Sequence, residues 1–394
     1  MMCPAAVRAQ TPTEGAPDPA VVRIRMGPLW MNPTMALTNV GVDQNVFNEP
    51  DALNPKSDFT FTLKPMTDLW VHLGPTWLTG TVIEEINWYQ KYASERTANT
   101  SYAAHWLVPL TRLTFKTGLS YRNARDRPGF EIDARALRKE FGYEGAVELR
   151  ALSKTFVGVK ASRQKIAFDE IAVFQGSNLH DELNRVETTA AVTLRHQLTT
   201  LTSLTFSASK ETDRFEFSPL RDSDSTGASI AVNFDPFALI KGNATFGYRN
   251  FTPAATDLPA FQGGTASVDL AYALLGTTRF TFTARRDIDY SYDINQPYYL
   301  LTGVAGSVSQ QIFGPFDVVG RIGHESLAYR TRAGQVVELS DRIDRVQSYG
   351  VGAGYRLGKQ LRLGFNMDKT NRMSDVVLRR YHNLTFGYSL TYGP

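Results

Sequence analysis

The sequence predicts an all-β fold, a transmembrane antiparallel β-barrel of about 18 strands, and two patterns support this prediction. First, apolar residues occupy every second position of most strand-like segments from residue 33 onward, as at Leu113, Phe115 and Leu119. Successive side chains of a strand point to opposite faces, so each segment has one apolar face and one polar face. Second, short turns and long polar loops alternate between these segments, which is typical of barrels that span outer membranes.

The individual elements follow from the alternation of apolar and polar residues. Strands are predicted at approximately 33–44, 57–72, 76–90, 98–108, 111–122, 142–151, 155–164, 186–197, 200–211, 225–235, 239–250, 264–274, 278–290, 299–312, 316–328, 346–357, 360–371 and 378–392. Tight turns are expected near Gly74-Pro75, Pro109, Ser153-Lys154, Leu198-Thr199, Asp235-Pro236, Gly276, Gly314-Pro315 and Gly358-Lys359. Long loops are expected near 45–56, 123–141, 165–185, 212–224, 251–263 and 329–345, and both termini fall on the short-turn side.

The apolar face of this sheet is predicted to point outward, into lipid. A closed barrel of about 16–18 strands is too wide to be filled by side chains, so its polar face must line water. A soluble propeller would repeat a four-strand unit, which the sequence does not show, and a sandwich gives no reason for alternating loop lengths. The net charge of +3, from 42 basic and 39 acidic residues, gives no ground for a nucleic-acid partner.

The chain is predicted to contain one folded domain. Residues 1–9 end in Val7-Arg8-Ala9, which resembles the end of a secretory signal, and we interpret them as its remnant. A disordered arm is an equally good interpretation of these residues. Residues 10–32 are expected to form a flexible periplasmic segment and residues 33–394 the barrel. The only cysteine is Cys3, which excludes a disulfide framework in this sequence.

The first predicted hairpin has a more specific sequence. Its first strand ends in Asp43-Gln44-Asn45-Val46-Phe47, and the second strand opens with Ser57-Asp58, followed by apolar alternation up to Pro65. This hairpin resembles the outer-membrane β-barrel porin family that is often associated with exopolysaccharide systems, except that Gln44 replaces a second Asp. The resemblance implies an export or diffusion pore and supplies no catalytic residues. A C-terminus that continues with Gly393-Pro394 after Tyr392 departs from the usual terminal aromatic residue.

Charged residues on the polar face are the candidate pore lining. An excess of bases along a narrow pore lowers the electrostatic barrier for anions, so we predict a modest anion preference, although cross-strand charge ladders would also explain each residue singly. The acids assigned to this face are Glu144, Glu148, Glu187, Asp269, Asp287, Asp317, Glu325 and Asp368. The bases assigned to it are Lys64, Arg112, Lys116, Arg122, Arg150, Lys160, Arg195, Lys241, Arg249, Arg279, Arg285, Arg321, Arg356 and Arg362.

Two loops are candidates for narrowing the channel. The loop at 165–185 is unusually apolar and includes Phe168, Ile171 and Phe174, which we predict as a constriction. Residues 131–140 have a composition that favours a helix. Packing of the loops on one another above the rim is the alternative for both. If the first loop occludes the pore, deletion of residues 168–180 will raise the conductance.

The sequence predicts no catalytic residue, metal site or cofactor. His324 and Ser326 share one face of a strand, as in outer-membrane phospholipases, and Gln347 is the one amide that could orient the histidine. A His-x-Ser pair arises easily by chance, so a lipid-acting hydrolase is the least favoured hypothesis. The six histidines lack metal-ligand spacing, and Asp222 and Asp224 are more simply explained as a solvated loop than as a Ca²⁺ site.

The predicted function is therefore an outer-membrane channel for passive diffusion or export of polar or anionic solutes or of a secreted polysaccharide. The main alternative is a non-conducting structural or adhesive barrel whose loops bind a partner. The expected partners are outer-membrane lipids, the solute or polysaccharide and, for export, a periplasmic partner. The solute, the direction of transport and the oligomeric state do not follow from the sequence.

Overall fold

The structure, a computed structural model, describes residues 22–235, 238–334 and 342–393. Eighteen long strands form one closed antiparallel sheet, in which the first strand pairs with both the second and the last. A short strand, Ile24–Met26, pairs only with the start of the first one. The long strands are β1 (Leu29–Asp43), β2 (Asp58–Leu73), β3 (Thr76–Tyr89), β4 (Thr97–Pro109), β5 (Leu113–Asp126), β6 (Ala136–Arg150), β7 (Thr155–Phe168), β8 (Arg185–Gln197), β9 (Thr202–Phe215), β10 (Ser223–Phe234), β11 (Ile240–Pro253), β12 (Phe261–Leu274), β13 (Thr278–Tyr290), β14 (Tyr298–Phe313), β15 (Phe316–Arg330), β16 (Ile343–Leu357), β17 (Leu361–Met373) and β18 (Tyr381–Tyr392).

The predicted barrel and its alternation of turns and loops are confirmed. The connections at one end are as short as Gly74-Pro75, whereas those at the other end reach the length of residues 169–184. We call the first the periplasmic end and the second the extracellular end, as in other outer-membrane barrels. The predicted segments 1–9 and 10–32, as far as residue 21, lie outside the described residues, as do Pro236 and part of the 329–345 loop.

Several strands run further toward the extracellular end than the sequence predicts. β5 continues to Asp126 and β6 begins at Ala136, where a loop at 123–141 was expected. The prediction stopped early because charged residues interrupt the apolar alternation there, although the backbone pairing continues, as between Asp126 and Ala136. Residues 131–140 are therefore not helical. They comprise the end of a loop and the start of β6.

The register of the sheet defines an outer face of exposed apolar side chains. Phe115, Val147, Val159 and Val192 lie side by side on β5 to β8. Val159 and Val192 are each 57% exposed, and the same apolar exposure continues around the sheet. Such a large exposed apolar surface matches hydrocarbon rather than water. The opposite, polar face is the lumen face.

Little of the described chain is helical. The one α-helix among the described residues, Leu179–Leu183, lies in the loop between β7 and β8. No helix of the described residues is both long and apolar enough to cross a membrane.

A compact core lies at the extracellular end of the barrel. The strand segment Tyr298–Leu301 is buried on both of its faces, which fits its unbroken apolar sequence. Within this segment, Tyr299 and Leu301 pack against Leu327 and Tyr329 of β15. A second apolar cluster joins Ile132 to residues of the β7–β8 loop. The loop residues of this cluster therefore pack against the ends of the strands.

Candidate functional site

The central feature of the lumen is the loop formed by residues 127–135, which we call the crossing loop. It connects β5 to β6, yet Glu131 accepts hydrogen bonds from the hydroxyl of Ser291, at 2.6 Å, and the backbone N–H of Tyr292, at 3.1 Å. These two residues follow β13, which is seven strands from β6 along the sheet in one direction and eleven in the other. A loop that touches nearly opposite walls must cross the lumen.

Two buried arginines hold the crossing loop from the side of β17. Arg372 donates to the carbonyl oxygen of Phe130, at 2.6 Å, and to the carboxylate of Asp133, at 3.2 Å. Its other nitrogen donates to the buried Asp344 at 2.6 Å. Arg379 donates to the carbonyl oxygen of Glu131. Charges buried this deeply are stable only when paired, so these contacts fix the loop in one position.

The hairpin that carries the family resemblance holds the crossing loop from another side. The carbonyl oxygen of Val46, which is fully buried, accepts hydrogen bonds from Arg127, at 2.7 Å, and Arg135, at 3.1 Å. Asn45 positions Val46 because its side chain bonds to the backbone of Glu49 in both directions, each at 2.8 Å. The Asn-Val sequence thus acts as an acceptor site for the arginines of the crossing loop.

The apolar contact of the crossing loop includes two of the predicted constriction residues. Ile132 packs in one cluster with Phe168 and Phe174, which are 5% and 7% exposed. Ile171 is 86% exposed and lies outside this cluster. The β7–β8 loop therefore supports the crossing loop, and the crossing loop itself spans the lumen.

The Glu131 carboxyl has an unusual environment. Burial raises its pKa to about 7, against the opposing effects of the Ser291 hydrogen bond and the Arg379 charge. Removing a carboxylate from water disfavours its charged form, and these two partners compensate only in part. Protonation of Glu131 near neutral pH therefore favours the crossing loop in its docked position.

On the lumen face, opposite charges often pair across an intervening strand. Arg321 of β15 reaches Asp368 of β17 at 3.0 Å, and Gly350 of β16 lies in register between them. The imidazole of His105 on β4 likewise approaches the carboxylate of Glu144 on β6, at 3.6 Å, over Gly118 of β5. A Cβ atom at either glycine would lie within 2.6 Å of these side chains, so the missing side chain makes room for each bridge.

The bases predicted to line the pore lie on the lumen face or at its periplasmic rim, and most are paired. Lys116 and Arg285 lie on β5 and β13. Arg150 stacks on Phe156. The ion pairs are Lys64–Glu85, Arg122–Glu140, Lys160–Glu144, Arg195–Glu148, Arg249–Glu211, Arg249–Asp287, Arg356–Asp317 and Arg362–Asp317.

Arg150 and Arg285 form no ion pair within the described part of the chain, and the same holds for three further predicted bases. Arg112 lies in the β4–β5 turn, and Lys241 and Arg279 are the second residues of β11 and β13. All three are exposed at the periplasmic end of the lumen. They give this end an unbalanced positive charge.

The sequence interpretation missed several lumen acids because the strands extend into predicted loops. Arg249 lies on the lumen face, and the register of β9 to β11 places Glu211 and Asp213 on the same face. These two acids lie at or beyond the predicted end of β9. Glu140 is added in the same way on β6. These acids offset part of the excess of bases predicted for the lumen. Extending the alternation of inward and outward side chains through these charged residues would have placed the acids on the lumen face.

A chamber of about 480 Å³ opens below the crossing loop, and a separate cavity of about 210 Å³ is lined by residues of β9 to β13. The wall of the chamber includes Glu131, Arg138, Arg185 and Arg285, together with acids and aromatic residues of β8, β9 and β13. The chamber offers both charge signs and room for one small solute. No arrangement of three or more potential metal ligands occurs among the described residues.

His324 and Ser326 lie on the outer face, as predicted. Their register neighbours on β16 are Gln347 and Arg345, so the amide does lie beside the histidine. No hydrogen bond joins His324 to Ser326 or Gln347 in the part of the chain that is described. The geometry thus places the three residues together without linking them.

The fold and its charged, loop-crossed lumen define a porin-like barrel of the outer membrane. Residues 18–392 match the family described as "Putative beta-barrel porin 2", and the chain belongs to this family. The protein is accordingly a porin-like channel of the bacterial outer membrane, which confirms the predicted class and location. Porins of this kind are channels rather than enzymes. The association with exopolysaccharide systems stays a prediction.

Several solved barrels are similar to this chain in architecture. OpdK of Pseudomonas aeruginosa matches with a TM-score of 0.47 and 10% identity, over 92% of this chain and 98% of its own. OccK2 (OpdF) of the same organism, in complex with glucuronate, gives 0.48 and 10%, over 92% and 97%. A BenF-like porin from Pseudomonas fluorescens Pf-5 gives 0.46 and 10%, over 93% and 98%. No curated protein matches the sequence.

Proposed function

We propose that the barrel lets small polar solutes with an anionic group diffuse across the outer membrane. The observation that supports this best is the trio Arg112, Lys241 and Arg279, which is exposed at the periplasmic end without ion-pair partners among the described residues. Unpaired positive charge at one mouth of a pore raises the local concentration of anions and lowers their entry barrier. The balanced charges further up exert little net attraction on either sign.

The crossing loop sets the size of the proposed solute. The chamber beneath it has a volume of about 480 Å³, which suits a small molecule and not a polymer. Export of a polysaccharide would require the crossing loop to leave the lumen, against its contacts with Arg372, Arg379 and Val46. We therefore favour small solutes over polysaccharide.

The proposal predicts an anion preference that depends on the periplasmic trio. In planar bilayers under a KCl gradient, the wild-type reversal potential should indicate anion selectivity. The double variant Lys241→Glu with Arg279→Glu should lose or invert it, because two positive charges become negative at the same mouth. The variant Arg279→Lys, which keeps the charge, is the control and should behave as wild type. Cation preference of the wild type would overturn the proposal.

The crossing loop also favours a second candidate, a structural barrel that does not conduct. Its contacts reach nearly opposite walls, and this is the geometry of a plug as well as of a constriction. Single-channel recording separates the two functions. Open events in the wild-type protein would support the channel, whereas a silent wild type that conducts only after residues 128–134 are replaced by a short Gly/Ser linker would support the closed barrel.

A further inference from the structure

The charged residues of the outer face are distributed unevenly along the barrel axis. Counting from the periplasmic end, the first four outward positions of each described long strand hold no Asp, Glu, Lys or Arg. Outward charge begins at the fifth position, with Glu84, Arg163, Lys210, Arg286 and Lys369. The apolar band of an outer-membrane barrel is about 25 Å tall, so these residues lie at the level where hydrocarbon meets the outer headgroups.

Two of these bases lie close together without an acid. Arg163 of β7 has Tyr143 and Thr188 as its register neighbours, and Lys210 of β9 has Ala190. Neither forms an ion pair with a described residue, although both are exposed. By contrast, the bases nearer the rim on the same two strands are paired, Lys165 with Glu216 at 3.1 Å and Arg214 with Asp224 at 2.7 Å.

An apolar groove of about 980 Å³ on the outer face ends at Lys210. Its floor is formed where Gly145, Ala161 and Ala190 lie in register on β6, β7 and β8. Larger side chains, including Trp106 and Phe115, form its far wall toward the periplasmic end. Arg163 lies one outward position above Ala161 on the same strand, so the two bases stand at the extracellular end of the groove.

We propose that this groove binds a phosphorylated, multiply acylated lipid of the outer leaflet, with its acyl chains in the groove and its phosphates on Arg163 and Lys210. An ionised side chain at the edge of hydrocarbon is costly unless an opposite charge meets it, and a headgroup phosphate supplies that charge. The groove fits an extended chain and opens onto the hydrocarbon. A second copy of the barrel docking here by two-fold symmetry would bring Arg163 and Lys210 against themselves, which disfavours it.

The test uses the full-length protein, purified in detergent and stripped of lipid, with bisphosphorylated hexa-acyl lipid A as the probe. Native mass spectrometry gives its apparent Kd. The double variant Arg163→Gln with Lys210→Gln should bind about tenfold more weakly or worse, since each base near an anionic lipid surface contributes about fivefold. The matched control, Lys165→Gln with Arg214→Gln, removes the same charge from paired positions and should stay within about twofold.

Two further arms separate the headgroup from the acyl chains. Ala190→Phe fills the groove and should weaken lipid A binding while both bases remain, and lipid A without phosphates should bind as weakly to wild type as intact lipid A binds to the double variant. Inorganic phosphate should not displace the lipid. Heat-dependent mobility on denaturing gels shows that each variant is folded. The proposal would be overturned if both double variants lost equal affinity for lipid A, or if inorganic phosphate displaced the lipid. It would also be overturned if the wild-type protein dimerised through this face without lipid.

Discussion

The two ends of the lumen use the same face of the same sheet in opposite ways. At the extracellular end, Arg372 of β17 has a fully buried side chain and contacts two carboxylates. At the periplasmic end, Lys241 and Arg279 lie on that same face, exposed and without acid partners among the described residues. Strand parity therefore determines which face a residue is on. The part of this face that a loop covers becomes buried core, and the part that no loop covers lines water.

The difference also determines how much each end tolerates change. A buried charge that loses its partner costs several kcal/mol, because it cannot return to water. An exposed pair in a wide lumen contributes about 0–1 kcal/mol. Substitutions at the extracellular end should therefore move the crossing loop, whereas those at the periplasmic end should alter only the charge that a solute meets.

The largest effect is expected for Arg372→Ala. It removes the donor to Phe130, Asp133 and Asp344, so the crossing loop loses its hold on β17. We expect destabilisation of about 3 kcal/mol and faster protease cleavage within residues 127–135, with a severalfold rise in conductance. Thermal unfolding in detergent, limited proteolysis and single-channel recording measure these effects.

Arg321→Ala is the matched control for that variant. Like the first variant, it deletes an arginine that pairs with a carboxylate. The pair of Arg321 with Asp368, however, is partly exposed on both sides. Unfolding should change by less than about 1 kcal/mol and proteolysis of the crossing loop not at all. If the two variants were equally destabilised, the contrast between the ends of the lumen would be wrong.

A smaller, pH-dependent effect is expected at Glu131. Its pKa is raised to about 7 by burial in the docked loop and returns to an ordinary value, near 4.5, when the loop leaves. Because the docked state binds the proton more tightly, the stability of docking is fully present below about pH 4.5 and is lost as pH rises toward 7. Conductance should therefore be higher at pH 8 than at pH 5.

Glu131→Gln separates this carboxyl from other titrating groups. The amide keeps the shape and stays neutral, so the loop should remain docked at pH 8 and conductance should vary little between pH 5 and pH 8. Glu170→Gln, in the exposed part of the β7–β8 loop, should keep the wild-type pH response. A pH response that survives in Glu131→Gln would assign the effect to another residue.

The contrast between the ends also explains which predictions succeeded. Near the periplasmic end the alternation is clean, as in Leu113 to Lys116, and the sequence predicts both the strands and their faces there. Toward the extracellular end, local pattern competes with long-range contacts. Arg372 donates a hydrogen bond to Phe130, which lies 242 residues away in the sequence, and no local sequence pattern indicates such a contact.

The sequence predicts residues 131–140, which overlap the crossing loop, as one of two segments that narrow the channel, but it does not predict their conformation or the contacts that hold the loop. Residues 131–140 have helix-favouring side chains, but pairing of Ala136 with Asp126 and burial of Glu131 override that propensity. Phe168 and Phe174 stood out as apolar residues in a loop, and they are buried, yet their role is to pack on Ile132. A polar loop that is fixed by arginines from distant strands leaves no local signal.

The smallest expected effect tests whether glycines on the lumen face exist to make room for bridges. A Cβ at Gly350 would lie 2.1 Å from Asp368 and 2.7 Å from Arg321, so Gly350→Ala should break this pair. Because the pair is partly exposed, unfolding should change by no more than about 1 kcal/mol. The freed Arg321 and Asp368 carry opposite charges, so the anion preference should stay unchanged. Gly320→Ala on neighbouring β15, whose Cβ would meet nothing within 4 Å, is the control. Equal destabilisation of both variants in thermal unfolding would mean that strand glycines act through the backbone and not by making room for ion pairs.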